Sequence, residues 1–177
     1  MDVPGKAIQL NDGKIMLGAQ ELCGLETVEI NGKVYRKRLL TPEEWAAVAS
    51  KFGTQEYSTR SGKLDEGVHY NADGTRVVGQ AKGHYVEHGG KEVFDMNGNV
   101  YEWTFDPATG EFYISGGSWN NNNSWGLRAD DRVGGRPDDR LSFVGLRCGV
   151  SAQDSLCGVK SSSSQSSVRQ GERKSVL

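Results

Sequence analysis

One stretch of the chain carries oxygen-bearing side chains at the spacing of a metal-binding loop. Asp95, Asn97 and Asn99 alternate with other residues, which is how an EF-hand calcium loop begins. That loop also needs Gly at its sixth position and Glu at its twelfth, where this chain has Val100 and Asp106. The spacing therefore excludes an EF-hand.

Two interpretations of this stretch remain. In the first, residues 97–103 form a turn followed by a strand and bind no ion. In the second, Asn99, the Val100 carbonyl and Glu102 supply hard oxygen ligands to a structural Ca²⁺. No other cofactor is required by any pattern in the chain.

The other side chains that could do chemistry are scattered. His69, His84 and His88 lie in an irregular segment, where hydrogen-bonding histidines are more common than metal ligands. Ser118 has no histidine base nearby in the sequence, and acidic pairs such as Asp130-Asp131 alternate with arginines as a solvated ionic surface does. We find no phosphate loop, zinc spacing or dinucleotide fingerprint.

Cysteine use and charge limit the setting of the protein. Cys23, Cys148 and Cys157 are sparse and odd in number, which argues against a disulfide framework. A net charge of -2 predicts no broad attraction to nucleic acid or to anionic membranes. No signal peptide or apolar run long enough to span a bilayer is visible, so we expect no membrane insertion and a cytoplasmic or virion-associated protein.

The segment from Phe112 to Ala152 has an unusual composition. These 41 residues contain no Lys, Glu, Gln or Met, whereas the other 136 residues contain 32 of them. All five cations in the segment are arginines. Turn-rich surface segments favour Asn, Gly and Asp, but this preference does not explain the missing Lys and Glu, which also belong on surfaces.

The elements that must position these residues are short. Asn31-Gly32 predicts a hairpin between Thr27–Ile30 and Lys33–Arg36, and Asn11-Asp12-Gly13 predicts a turn between two shorter strands. Residues 54–90 have no sustained periodicity, which is typical of a functional loop or of one packed against it.

The clearest helix begins after Leu40. Thr41 and Glu44 form a capping box, with proline at the first helical position. Trp45, Val48, Ala49 and Phe52 then form one apolar face, and Gly53 is predicted to end the helix in a left-handed conformation.

The chain divides into a domain at 1–152, with a variable segment at about 112–147, and a Ser-rich basic tail at 153–177. The tail lacks the apolar residues needed to order itself, which predicts flexibility.

Three motifs in order resemble the formylglycine-generating enzyme (sulfatase-modifying factor) family. They are Asp95–Trp103 (DMNGNVYEW), Gly116–Trp119 (GGSW) and Gly145–Cys148 (GLRC), and Arg38–Trp45 is similar to an earlier family segment. The resemblance covers about Thr27 to Val150 and implies a C-type-lectin-like α+β fold, with twisted antiparallel strands, few helices and much irregular structure.

The enzymes of this family use two cysteines for copper binding and oxidative chemistry. The matching positions here are close to Asn121 and Gly126, and Cys148 in the closing motif is expected to be a packed residue. Because that chemistry needs a thiolate, the sequence predicts that the oxidase activity is absent and that the protein is not an enzyme.

The variable segment also resembles the target proteins of diversity-generating retroelements, which often have this fold. These elements mutate adenines, and randomising the first two bases of an AAC or AAT codon cannot give Lys, Glu, Gln, Met or Trp. Four of these five are missing between Phe112 and Ala152, so Trp119 and Trp125 are predicted to be fixed scaffold packed beneath a binding face.

The resemblance implies a non-catalytic hypervariable receptor for a protein or other macromolecular ligand; its oligomeric state is left open. Alternatives are an enzyme of the family with altered chemistry and a structural or virion attachment module. Leu141 and Phe143 would be apolar anchors and Arg128 and Arg136 charged ones, while Arg132, Arg140 and Arg147 would brace loops. The predicted binding residues, expected to converge on one exposed surface, are Asn121, Asn122, Asn123, Gly126, Leu127, Arg128, Asp131, Val133, Gly134, Gly135, Arg136, Asp139, Leu141, Ser142 and Phe143.

Overall fold

A computed structural model describes residues 3–64, 67–80 and 85–151. The predicted tail and His84 lie outside these residues. The described part contains short strands and two short helices, in the order β1 (Ile8–Gln9), β2 (Ile15–Met16), α1 (Ala19–Gly24), β3 (Thr27–Ile30), β4 (Lys33–Arg36), β5 (Arg38–Leu39), α2 (Pro42–Ala49), β6 (Tyr85–His88), β7 (Lys91–Phe94), β8 (Tyr101–Asp106), β9 (Glu111–Ser115), β10 (Arg132–Gly135), β11 (Val144–Leu146) and β12 (Cys148–Gly149).

A four-stranded sheet in the order β10-β9-β8-β11 forms the centre of the fold. β8 and β9 pair antiparallel with Trp103 opposite Ile114, and β10 pairs antiparallel with β9. β11 pairs parallel with β8, with Val144 opposite Tyr101. Both faces of this sheet are covered, because successive side chains of a strand point to opposite faces and both sets find partners here.

One face of the sheet packs on the N-terminal part of the chain. Trp103, Phe112 and Ile114 are buried there together with Ala19 and Cys23 of α1. The indole nitrogen of Trp103 donates to the Val3 carbonyl at 3.0 Å, so the buried N–H has a partner. This cluster is the larger apolar core of the domain.

The other face packs on α2. Trp45 is 1% exposed and clusters with Val86, Met96 and Ala129. Its indole nitrogen donates to Glu102 of β8 at 2.8 Å. The capping box at the start of α2 is confirmed, since the Glu44 amide donates to Thr41 Oγ1 and the Glu44 carboxylate accepts from the Thr41 amide.

The end of α2 differs from the prediction. The helix stops at Ala49, and Lys51, Phe52 and Gly53 all have positive φ. The helix therefore ends before Phe52, which does not join the apolar face. Phe52 is 74% exposed, and its ring packs against His88.

Both predicted hairpins are confirmed. β3 and β4 pair across Asn31 and Gly32, whose φ angles of 52° and 73° are those that the Asn-Gly signal requires. The pairing of β1 with β2 is also as predicted. A third hairpin, β6-β7, turns at Gly89 and Gly90, and the sequence analysis placed its first strand in the irregular segment 54–90.

The cysteine count argued against a disulfide framework, but the structure contains a disulfide. Cys23 of α1 is bonded to Cys148 of β12, 125 residues away in the sequence. Cys148 is therefore a crosslink between the N-terminal segment and the closing motif, not only a packed residue.

None of the helices within the described residues is long and apolar enough to cross a membrane.

Candidate functional site

The variable segment runs through β9, β10 and β11 and forms two loops between them. The first loop, residues 116–131 (hereafter the Asn loop), leaves the sheet at the Ser115 end of β9. The second loop, residues 136–143, leaves at the opposite end, where Gly135 pairs with Phe112. It returns to the first end, because the Phe143 carbonyl accepts from the Tyr101 amide at 2.9 Å.

The backbone of the Asn loop is held by the DMNGNVYEW motif. The buried Asn97 side chain donates to the Leu127 carbonyl and accepts from the Ser58 amide. The carbonyl of Asn99 accepts from the Trp119 amide at 2.9 Å, and Gly98 donates to the Gly116 carbonyl at 2.8 Å. These bonds reach only backbone atoms of the loop.

A second set of backbone bonds comes from residues 54–64 and 67–80 (hereafter the support loop). Asn71 donates to the Asn121 carbonyl and Ala72 to the Trp119 carbonyl, each at 2.8 Å. Near the far end of the Asn loop, Ala129 donates to the Glu56 carbonyl at 2.9 Å. An irregular segment whose backbone groups are paired in this way can keep its path when its exposed side chains change.

The start of the Asn loop is closely packed. Gly116 and Gly117 have φ angles of 92° and 73°, and a Cβ at Gly116 would lie 2.4 Å from the Met96 carbonyl oxygen. Only glycine fits both the space and the conformation. Ser118 is fully buried and its hydroxyl donates to Asn120 Oδ1 at 2.5 Å, an amide acceptor that cannot activate a nucleophile.

The predicted binding residues divide by exposure. Six are exposed, and hereafter they are the six exposed positions: Asn122, Asn123, Val133, Gly134, Arg136 and Ser142. Eight more are half-buried, namely Asn121, Gly126, Arg128, Asp131, Gly135, Asp139, Leu141 and Phe143. Leu141 and Phe143 lie against the larger core, and the Phe143 ring is 6.3 Å from that of Tyr101.

Two of the predicted binding residues have structural roles instead. Leu127 is 0% exposed and is the last residue of a short 3₁₀ helix, so it cannot contact a ligand. Asn121 uses its side-chain oxygen to accept from the Ser118 amide at 2.8 Å, and its side-chain nitrogen donates to the Tyr101 hydroxyl at 3.0 Å. The Asn121 side chain therefore fixes the loop.

Two predicted glycine positions leave no room for a side chain. A Cβ at Gly126 would lie 2.7 Å from Asn121 Nδ2, and a Cβ at Gly135 would lie 2.4 Å from Trp103 Cζ3. Gly134, in contrast, has open space around it. Gly134 and Gly135 thus differ in whether a side chain fits, because they face opposite sides of the sheet.

The predicted residues lie in two regions. The exposed asparagines are at the Ser115 end of the sheet, to which Phe143 returns. Arg136 follows Gly135 at the other end, beside a cavity of about 410 Å³ lined in part by Glu111 and Tyr113. The predicted residues therefore form two regions instead of one surface. The main region is at the Asn loop, and the second lies around residues 134–139.

Trp125 is a candidate binding residue whose exposure was not predicted from the sequence. It was predicted to pack beneath the binding face as scaffold, but it is 76% exposed. Trp119 is half-buried. The cause is the 3₁₀ helix Trp125–Leu127, in which residues two apart face different directions, so that burial of Leu127 turns Trp125 outward.

Arg128 and Arg136, the two predicted charged anchors, form ion pairs with carboxylates. Arg128 pairs with Glu56 of the support loop and, at 3.1 Å, with Asp130. Arg136 pairs with Asp139 at 2.8 Å. The hydrogen bond from Arg128 lowers the pKa of Asp130, which keeps that pair charged at neutral pH. Arg128 therefore braces two loops, and neither of the predicted charged anchors presents an unpaired cation.

Two of the three predicted bracing arginines bond to a carboxylate or a carbonyl on a helix or strand. Arg132 donates to Glu43 of α2 at 2.8 Å, a hydrogen bond that lowers the pKa of Glu43, and lies 5.0 Å from the centre of the Tyr113 ring. Arg147 donates to both oxygens of Glu102 and to the Phe94 carbonyl. For Arg140 there is no such partner among the described residues.

The side chains of Asn99 and Glu102, two of the three predicted calcium ligands, already form hydrogen bonds within the protein. Asn99 accepts from the Arg76 amide at 3.0 Å and donates to the Arg76 carbonyl at 3.2 Å. Glu102 accepts from Arg147 and Trp45. Burial lowers the pKa of Arg147, but attraction to Glu102 and hydrogen bonding to it outweigh this and the pKa is raised. A calcium ion at Glu102 would have to displace this ion pair, so the arrangement does not fit the site as it stands.

The positions of the family's copper-binding cysteines are adjacent in this fold. The space beside Gly126 is filled by the Asn121 amide and the Tyr101 hydroxyl, and neither position has a thiol. Cys23 and Cys148 are joined to each other, so the described residues contain no free thiolate. The residues present do not fit a copper ion of that kind.

A comparison with family models finds one match, described as the sulfatase-modifying factor enzyme 1-like domain, over residues 26–152. No curated protein matches the chain significantly.

Solved structures also match the chain. Variable protein 1 of Treponema denticola superposes with a TM-score of 0.53 at 24% identity, covering 82% of this chain and 53% of that one. PvdO from Pseudomonas aeruginosa gives 0.49 at 26% identity, covering 64% and 52%, and CarF gives 0.47 at 21%, covering 65% and 48%. The chain thus spans about half the length of these structures.

The first of these matches supports the fold alone, whereas the family model spans most of the chain. The protein therefore belongs to the sulfatase-modifying factor enzyme 1-like domain family, and it has the C-type-lectin-like α+β fold expected from its sequence.

Proposed function

We propose that this protein is a non-catalytic ligand-binding protein, a hypervariable receptor diversified by a diversity-generating retroelement. It binds a protein or other macromolecular ligand through the variable segment at about residues 112–147. One observation carries the proposal: the segment that lacks Lys, Glu, Gln and Met is held by its backbone and exposes six of the predicted side chains.

Stability explains why this arrangement suits diversification. A domain has about 5–15 kcal/mol of stability, and random substitution at buried sites removes it quickly. Substitution at exposed sites costs little, provided that the backbone path does not depend on those side chains. The six exposed positions meet the first condition, and all but Asn123 meet the second, because the Asn loop is held by Asn97, by the backbone of the motif around it and by the support loop. Asn123 is the exception, since its Oδ1 accepts from the Trp125 amide.

The site also supports a binding role over a catalytic one. The positions that the resemblance matches to the family's thiols are close to Asn121 and Gly126, and Asn121 is used as a structural amide. The buried Ser118 hydroxyl donates to an amide oxygen and has no base. Exposed Asn and Ser side chains, in contrast, are the adaptable hydrogen-bonding groups of antibody-type binding surfaces.

Family membership favours one alternative, an enzyme related to formylglycine-generating enzyme with altered chemistry. Fold and family do not fix function, and the missing thiols weigh against this alternative. Turnover of a sulfatase peptide is the measurement that separates the two.

The stability part of the proposal can be tested with one multiple variant. The six exposed positions are replaced together by residues that an AAC or AAT template can give, such as Tyr, Ser and Asp. We expect the melting temperature to stay within a few degrees of the parent, since exposed substitutions usually change stability by less than about 0.5 kcal/mol each.

The matched control is Leu127→Asn, a residue of the same permitted set at a buried position of the same loop. We expect it to lose more stability than all six exposed changes together, because truncating a buried Leu costs about 2–5 kcal/mol and the new amide lacks partners. An unfolded six-position variant would contradict the proposal.

A further inference from the structure

Trp125 is exposed in a way that the fold does not require. The other tryptophans are buried or half-buried, with Trp45 and Trp103 at 1%, whereas Trp125 is 76% exposed. Leaving an indole in water forgoes one of the largest gains that burial offers any side chain. An exposed Trp at the tip of a loop therefore calls for a role outside the folding of the domain.

The backbone that carries Trp125 is held by bonds that do not depend on the six exposed positions. The Trp125 carbonyl accepts from the Arg128 amide at 3.2 Å, and the Leu127 amide donates to the Ser124 carbonyl at 3.1 Å. Two residues on, Leu127 is fully buried and its carbonyl accepts from Asn97. The indole thus projects from a fixed base, which lowers the entropy cost of using it in binding.

The residues just before Trp125 in the chain are uncharged and rich in amides. Asn122 and Asn123 are exposed, and Arg128, three residues after Trp125, is engaged by Glu56 and Asp130. Such a surface has little to offer to phosphates or to anionic lipids. It matches the anatomy of a protein–protein contact, in which an aromatic side chain is surrounded by polar groups that exclude water.

The genetics of the segment sets Trp125 apart from its neighbours. Randomising the adenines of an AAC or AAT codon cannot produce Trp, and a template codon TGG has no adenine to mutate. Under the proposed function, Trp125 is therefore a constant residue within a changing surface.

We propose that Trp125 is the constant anchor of the main region at the Asn loop and inserts into an apolar recess of a folded protein partner, while the exposed residues of that region, such as Asn122 and Asn123, decide which protein is bound. This inference rests on the proposed function. A protein partner is favoured because a projecting indole needs a recess lined by apolar atoms, which the surface of a folded protein provides and a single sugar ring does not.

The test compares two display libraries of the full chain. Both are randomised at the six exposed positions, one with Trp125 and the other with Trp125→Ala. Each is selected against three folded proteins (lysozyme, carbonic anhydrase and ubiquitin) and against two neutral glycans (chitohexaose and mannan). The exposed position of Trp125 predicts that Trp125→Ala leaves the melting temperature unchanged, so loss of binding cannot be attributed to unfolding.

We expect protein binders mainly from the Trp125 library, and in each of them Trp125→Ala should raise Kd by about 30-fold or more, as removal of an interface hot spot does. Phe52→Ala is the matched control, since Phe52 is 74% exposed but lies outside the variable segment, and it should leave Kd unchanged.

Three results would overturn the inference. Binders drawn equally from both libraries, with Kd insensitive to Trp125→Ala, would remove the anchor and leave the proposed function standing. Trp125-dependent binders to the glycans alone would show that the partner class is wrong. If neither library yields any binder, the proposed function fails and the anchor fails with it.

Discussion

Two neighbouring glycines of β10 give the sharpest test of how the variable segment is built. Gly134 and Gly135 are both free of positive φ, so alanine is compatible with the backbone at each. A Cβ at Gly134 meets nothing within 4 Å, whereas a Cβ at Gly135 would lie 2.4 Å and 2.9 Å from two ring carbons of Trp103. Alanine therefore adds the same methyl group at an open position, Gly134, and at a filled one, Gly135.

The structure gives the expected sizes. Gly134→Ala should be neutral or should stabilise the protein by about 0.4–1 kcal/mol, because alanine restricts the unfolded chain more than glycine does. Gly135→Ala should cost about 1–3 kcal/mol, the usual cost of overpacking a core. The Trp103 ring cannot easily move aside, since it is bonded to the Val3 carbonyl and packed edge-on against Phe112.

Urea denaturation followed by tryptophan fluorescence, with the disulfide kept oxidised, measures both variants against the parent. Equal slopes of free energy against urea would show that the comparison concerns the folded state. Equal losses for Gly134→Ala and Gly135→Ala, or a larger loss for Gly134→Ala, would refute the conclusion that Gly134 has room for a side chain and Gly135 does not.

The remaining predictions concern the core, the calcium hypothesis and catalysis. Trp45→Ala should lower the free energy of unfolding by about 3–5 kcal/mol, while Phe52→Ala should change it by less than about 0.5 kcal/mol; similar losses in urea denaturation would contradict the observed end of α2. The calcium hypothesis predicts a higher melting temperature in saturating calcium than in excess chelator, because an ion that binds only the native state stabilises it; identical values would rule the ion out. The protein should not convert the cysteine of a sulfatase peptide to formylglycine with copper and oxygen, since Asn121 and Gly126 carry no thiol, and mass spectrometry of the peptide would reveal any turnover.

Local signals in the sequence predicted the elements that depend on neighbours in the chain. The turn at Asn31-Gly32 and the capping box of Thr41 are set by a few adjacent residues, and both were found as predicted. The fold class followed from the motifs, which the family model confirms over residues 26–152.

What the sequence did not reveal depends on contacts between distant segments. The pairing of Cys23 with Cys148 joins positions 125 residues apart, and an odd cysteine count gave no reason to expect it. The buried state of Leu127 and the exposed state of Trp125 depend on how a three-residue helix sits on Asn97. Only the contrast between Gly134 and Gly135 could have been foreseen, from the alternation of side chains along a strand.

The central claim, that this segment is diversified by a retroelement, is tested most directly by sequencing the DNA downstream of the gene. The account predicts a reverse transcriptase gene and a near-repeat of the last coding segment that differs from it only at adenines. The differences should fall on the codons of exposed positions such as Asn122, Gly134 and Ser142, and should spare Trp125 and Leu127. The absence of such a repeat, or differences spread equally over buried codons, would contradict it.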